Sequence, residues 1–166
     1  MDAGELRGDI VLGSPEAKVT ITMVAGPFCG FCYSAYMELE KIITEFEEEA
    51  KVVIRVLDGI KRDVSRHLVA LSMSGEKDMS REAVREWYSH RHKDPGTWIR
   101  RFPLDESPDP ETVETLMDEI TEWCKANKVM GTPSFIINGR RMPRVYKSSD
   151  VKFYLRALFE EIEDDV

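Results

Sequence analysis

Three cysteines in 166 residues are too few to staple a small disulfide scaffold. No apolar run approaches the roughly 20 residues of a membrane-spanning helix. The opening Met1-Asp2-Ala3-Gly4-Glu5 has no basic stretch followed by an apolar one, so no export signal is expected there; the chain is either cytosolic or the mature or excised part of an exported or anchored protein. Basic residues are in deficit, with 23 Lys and Arg against 31 Asp and Glu. The net charge of −8 argues against nucleic acid or an anionic membrane as partner, since both attract excess Lys and Arg. Internal repeats and low-complexity segments are missing, and the acidic end from Glu160 to Asp165 reads as a solvated tail. What is present is an ordinary globular composition, 42% hydrophobic and 33% charged, long enough to bury the core of one domain.

Lys18 to Ala25 is rich in β-branched residues and lies between Pro15 and Gly26-Pro27, which predicts a buried strand. A helical pattern follows to about Glu49, with Tyr36, Leu39, Ile43 and Phe46 on one face and Glu38, Lys41, Glu45, Glu48 and Glu49 on the other. Lys51 to Leu57 predicts a second strand, and strand, helix, strand is the βαβ unit of a parallel sheet. From Gly59 to Lys128 the pattern is helical. One segment carries Val64, Leu68, Leu71 and Met73 and ends at Gly75; a second, with Ser80 as N-cap, carries Val84, Trp87 and Tyr88. Breaks are expected at Pro95-Gly96, Phe102-Pro103 and Pro108-Asp109-Pro110. A longer helix from Glu111 places Val113, Leu116, Ile120 and Trp123 inward. Gly131-Thr132-Pro133 then introduces a short strand over Ser134–Ile137, Asn138-Gly139 a hairpin turn, and Arg141 to Val145 the return strand. Ser148 or Ser149 is expected to cap a last helix bearing Val151, Tyr154, Leu155, Leu158 and Phe159.

Chemistry concentrates at Cys29-Gly30-Phe31-Cys32, where a strand hands over to a helix. The first turn of a helix has unpaired N–H groups and partial positive charge, which favour a thiolate over a thiol. Cysteines so placed have pKa values of roughly 3.5–7.5, against about 8.5 for a free one. Only the thiolate attacks a disulfide. Cys29 is therefore expected as the exposed nucleophile, and Cys32, one turn later, as the shielded thiol that closes a ring and releases the trapped partner. A zinc site is the alternative for a CxxC, and it needs a second ligand pair. Cys124 is single, and His90 and His92 are two residues apart, off zinc-finger spacing. With His67 they read as surface histidines, none spaced to serve a cysteine nucleophile, and no metal ligands are assigned. Cys124, beside Trp123, is expected to be partly buried and inert, with a regulatory or resolving role as the alternative. Arg140, Arg141, Arg144 and Lys147 form the one local basic patch, a solvated hairpin or a surface favouring acidic substrate segments. Met73, Met79 and Met117 read as core.

Pro133 stands before a strand whose ladder it cannot complete, and a cis Thr132-Pro133 bond is one reason for it. Facing the cysteines, such a bond would leave the backbone edge free for a bound peptide and would block metal capture.

Cys29-Gly30-Phe31-Cys32 after a strand, with Gly131-Thr132-Pro133 before Phe135-Ile136-Ile137-Asn138-Gly139, resembles the thioredoxin superfamily, and more closely its DsbA/DsbC/DsbG-like branch of bacterial extracytoplasmic thiol–disulfide oxidoreductases. Ile10 to Lys18 and Trp123 to Lys128 resemble the same branch. The resemblance implies an α/β thioredoxin fold, a central mixed sheet flanked by helices. Pro133 follows Cys32 by 101 positions, which implies an inserted helical subdomain over 59–128 between core segments 1–58 and 129–166. It further implies catalysis by Cys29 and Cys32; substrate contacts from Phe28, Gly30, Phe31, Thr132 and Pro133; no cofactor beyond a Cys29–Cys32 redox disulfide; protein or peptide thiols and disulfides as substrates; a membrane redox partner such as a quinone-linked disulfide-generating enzyme; and a periplasmic or otherwise extracytoplasmic location. Thioredoxin-like domains associated with vitamin K epoxide reductase-like enzymes are a further likeness.

Two positions depart from the branch. Met23 stands where thioredoxin and DsbA have a buried acid, and Gly30-Phe31 lacks DsbA's histidine, which implies a milder oxidant and leaves the direction of exchange open. Gly before an aromatic, with Thr before the proline, resembles DsbC and DsbG, whose dimerisation domain the residues before Ser14 are too few to supply. A thioredoxin-fold peptide-holding chaperone with incidental thiols is the second functional reading.

Overall fold

The computed structural model describes residues 4–57, 59, 62–89 and 94–164. At its centre β2 (Val19–Ala25) and β3 (Ala50–Val56) pair in parallel, joined by helix α1 (Gly30–Glu45). Both strands are near-continuous apolar runs because helices cover both faces of the sheet. A short β1 (Ile10–Gly13) lies antiparallel to β3, and β4 (Ser134–Ile137) antiparallel to β2, followed by β5 (Arg140–Arg141); the order is β1-β3-β2-β4-β5. Between β3 and β4 the chain forms α2 (Arg62–Met73), α3 (Lys77–Ser89), α4 (Pro95–Arg101) and α5 (Pro110–Ala126), and it closes with α6 (Val151–Asp164). The expected mixed sheet flanked by helices is present.

Strand alternation divides the core. Met23, Ile54 and Ile137 pack in one cluster with Cys32, Tyr36 and Leu39 of α1. Val24 and Ile136, from the opposite face, pack with Val69 of α2 and with Leu116 and Ile120 of α5. The helices between β3 and β4 thus help to cover the sheet. Among the described residues no helix is long and apolar enough to cross a membrane.

Several boundaries differ from expectation for local physical reasons. α1 stops at Glu45, four residues early, where the Phe46 amide closes on Ile42 O and a turn leads into β3. β1 was not anticipated as a strand, being four residues long. α3 starts three residues before Ser80, whose hydroxyl donates to Lys77 O from inside the helix instead of capping it. Pro95-Gly96 opens α4 rather than breaking a helix: the Asp94 carboxylate accepts from Thr97 N at 2.7 Å, and proline suits a first-turn position whose N–H is unpaired. Asp109 caps α5 in the same way, 3.0 Å from Thr112 N, with Pro110 next. The Asn138-Gly139 turn forms with positive φ of 45° and 77°, but its return strand ends at Arg141; Met142 N still donates to Phe135 O at 2.9 Å, and Pro143, with its fixed φ, follows. Neither Ser148 nor Ser149 is the cap: a 3₁₀ turn over Ser148–Asp150 precedes α6, and the Asp150 carboxylate accepts from Lys147 N.

One buried ion pair had no sequence signature. Arg55 of β3 and the Asp9 carboxylate are both fully shielded, with Nε–Oδ1 at 2.9 Å and Nη2–Oδ2 at 2.6 Å. Arg55 Nη2 also donates to Gly4 O, and its guanidinium lies 4.1 Å from the Trp123 ring centroid. The leading segment is thereby fastened to the sheet.

His67, expected on the surface, is half-buried: its Nε2 lies 2.6 Å from Phe102 O and its ring meets Trp98 edge-on. Burial lowers its pKa from the usual 6.5. The folded state therefore takes up its proton less readily than the unfolded chain, and the stability this confers is complete above pH 6.5 and declines as the pH falls toward the lowered value. Urea midpoints should fall across that interval in the wild-type protein and less steeply in His67→Phe; identical slopes would refute the assignment. His90 and His92 lie outside the described residues.

Candidate active site

Cys29 is the N-cap of α1, with extended backbone dihedrals, and its side chain makes no capping bond to the helix. The preceding turn is closed by Cys29 N donating to Gly26 O at 3.2 Å. This leaves Cys29 partly exposed at the open end of the helix, while Cys32, one turn on, is fully buried against Met23 and Tyr36. Both are free thiols, as is Cys124. Placing one sulfur at the rim and one inside follows from helix geometry, because residues three apart stack on the same face.

The Thr132-Pro133 bond is cis, and its loop faces the dithiol. Cys29 Sγ lies 3.4 Å from Thr132 O. Burial pushes the Cys32 thiol far up, reinforced by the Cys29 sulfur, with the Gly26 backbone and the Thr132 hydroxyl acting the other way. Cys32 therefore holds its proton while Cys29 faces solvent. Thr132 is in reach of both sulfurs. A Cβ on Gly26 would stand 3.3 Å from Cys29 Cβ and 3.4 Å from Thr132 Oγ1, so glycine is what permits the two loops to approach.

Phe28, Gly30 and Phe31 surround the rim, all exposed, with Phe31 at 81%. Sequence reasoning missed what steadies this rim. Trp87 Nε1 of α3 donates to Pro27 O at 2.6 Å, and the Phe28 ring meets Trp87 edge-on at 5.5 Å. Trp87 packs in turn on Trp98, whose Nε1 donates to Ala83 O. Trp87 was legible only as an inward residue of an amphipathic helix; that its indole N–H secures the loop before Cys29 depends on tertiary packing. Tyr33 and Tyr36 of α1 both contact the ring of Tyr88, whose buried hydroxyl has no hydrogen-bond partner among the described residues.

Cys124 is buried in the other cluster with Val113 and Ile120, and burial pushes its thiol up to about 11. Trp123, expected inward, is only partly buried and stacks on Arg55. Of the methionines read as core, Met117 is buried and Met73 and Met79 are partly so. Among the described residues no three His, Cys, Asp or Glu side chains converge as a metal-ligand cluster.

The thioredoxin family model matches residues 5–156, and the chain belongs to that family. No curated protein matches it by sequence. Among solved structures it is similar to Proteus mirabilis ScsC in a transitional conformation, at TM-score 0.80 and 12% identity over 93% of this chain and 74% of that one. A periplasmic thioredoxin-like protein from Salmonella enterica serovar Typhimurium gives TM-score 0.77 and 15% identity over 91% and 90%. A putative protein-disulfide isomerase from Pseudomonas syringae gives 0.67 and 21% over 85% and 92%. At these identities the likeness is one of fold.

Proposed function

We propose that the protein exchanges disulfides with protein substrates through Cys29 and Cys32. The observation that carries this reading is the asymmetry of the pair: a rim sulfur at a helix N-terminus, 3.4 Å from Thr132 O, with its neighbour buried one turn below. Cys29 as thiolate attacks one sulfur of a substrate disulfide; a Cys29–substrate disulfide forms and the other substrate sulfur leaves as a thiolate that takes up a proton. Cys32 then gives up its proton and attacks Cys29 Sγ, closing the Cys29–Cys32 disulfide and releasing the second substrate thiol. Met23 offers no base for that proton, so the departing substrate thiolate, or water at the rim, receives it. Run backwards, the same steps oxidise a substrate dithiol. Thr132 and Pro133 provide the edge against which the substrate backbone lies, with Phe28, Gly30 and Phe31 opposite. The redox disulfide itself is the only electron carrier this chemistry needs, and a membrane-bound quinone-linked enzyme is the partner class that would renew it. The name of the periplasmic Salmonella neighbour supports an extracytoplasmic location. Within this reading, 59–128 is a helical insertion between core segments 1–58 and 129–166.

The test is a thiol count. Fully reduced protein carries three free thiols and, after equilibration with an uncharged small disulfide such as hydroxyethyl disulfide and removal of the small molecules, should retain only Cys124. Three thiols remaining, or loss of Cys124 instead, would overturn the mechanism.

A further inference from the structure

Three of the four cations of the C-terminal hairpin, Arg141, Arg144 and Lys147, line one groove. Beside Thr132 and Pro133 runs a groove of about 700 Å³ whose walls include Phe31, Met130, Met142 and Tyr146 together with Arg141, Arg144 and Lys147. No carboxylate lines it among the described residues, although acids outnumber bases in the chain as a whole. Arg141 donates from Nη1 to Lys128 O at 2.7 Å, which fixes its place, and no carboxylate among the described residues lines the groove beside it. One acid, Asp150, lines the adjoining hollow with Tyr146 and Phe153, and its carboxylate accepts from Lys147 N. Apolar side chains at the groove stay in water: Phe31 is 81% exposed, Met130 78% and Tyr146 55%.

We infer that this groove selects protein segments in which the reacting cysteine is flanked by Asp or Glu together with an apolar side chain. The inference rests on the exchange reading above and names its substrate class. The occupant is a peptide rather than a free anion because the groove extends along Gly131–Ser134 beside the Cys29 sulfur, where that reading places the substrate backbone. Apolar flanks cover Met130, Met142 and Tyr146; acidic flanks meet the three cations. Charge complementarity of this kind acts mainly on encounter and register.

Two peptides of equal length decide the matter, each a single-cysteine hydroxyethyl mixed disulfide, one flanked by Glu-Leu-Glu and the other by Lys-Leu-Lys. Rates with the reduced full chain are divided by the rate of the same protein with hydroxyethyl disulfide. At low ionic strength the Glu peptide should react about tenfold faster, and the advantage should shrink in 1 M salt, where screening acts within about 3 Å. The chain's net charge of −8 favours the Lys peptide, so a Glu preference can arise only locally. Arg144→Glu with Lys147→Glu should reverse the normalised preference, and Arg144→Gln with Lys147→Gln should abolish it. Equal normalised rates in the wild-type protein, or a preference untouched by both double variants, overturns the inference while leaving exchange intact. Failure to react with hydroxyethyl disulfide itself overturns the exchange reading and the inference with it.

Discussion

Cys29→Ser should lose all disulfide exchange above the uncatalysed background, whereas Cys32→Ser should still attack and then stall as a covalent complex with its substrate. The two outcomes follow from the unlike surroundings of the two sulfurs. A serine hydroxyl at position 29 is not ionised near neutral pH and cannot attack a disulfide, however well it is placed. At position 32 the lost group acts only after the first bond has formed, so the first step survives and the second does not. Non-reducing electrophoresis of Cys32→Ser mixed with a disulfide-containing protein should show a band at the summed mass that disappears on reduction. The Cys29→Ser, Cys32→Ser double variant should show none. A trapped complex with Cys29→Ser in place of Cys32→Ser would exchange the assigned roles. Cys124→Ser should behave as wild type in these assays, because that thiol is buried away from the rim.

Asp9→Ala should cost about 3–5 kcal/mol of folding stability, the range for removing one partner of a buried ion pair. The loss is large because Arg55 has nowhere to go: its guanidinium is fully shielded, and among the described residues Nη1 already lacks a hydrogen-bond partner and Gly4 O alone would remain as acceptor. Domains of this size are stable by only about 5–15 kcal/mol, so the variant should unfold at a much lower urea concentration. Asp9→Leu combined with Arg55→Met should recover most of the loss, since a buried pair replaced by apolar groups of similar size is often neutral. A cost below about 1 kcal/mol for Asp9→Ala would mean that the pair is solvated.

β2, β3, β4 and most helices were legible because each carries a strong signal of its own, whereas the four-residue β1 carries none. β-branched runs marked β2 and β3, apolar residues at three- and four-residue steps marked α1, α2 and α5, and Asn138-Gly139 marked the hairpin. Misplaced boundaries came from competing roles of single residues. Ser80 has the chemistry of a cap yet spends its hydroxyl inside a helix, while Pro95 and Pro110, read as breaks, each open a helix behind an aspartate. At the candidate site, the CxxC and the Thr132-Pro133 pair were legible as motifs. The support of that site was not, since Trp87 reaches Pro27 from 60 positions away; nor, away from the site, was the Arg55–Asp9 pair, 46 positions apart. Contacts of that range leave no local pattern, because each residue also fits its own strand or helix.

The two rims of the sheet carry one last consequence. β1 is four residues long, and β5 is only two, both arginine, with Pro143 close behind. Both borders are short, and that of β5 is also charged and proline-flanked, so a foreign strand finds little to zip onto. A protein that meets partly unfolded chains, as this reading requires, runs a constant risk of being drawn into their aggregates. Under the proposed exchange function, clipped borders of this kind leave the cleft beside the Cys29 sulfur as the place for such clients to dock.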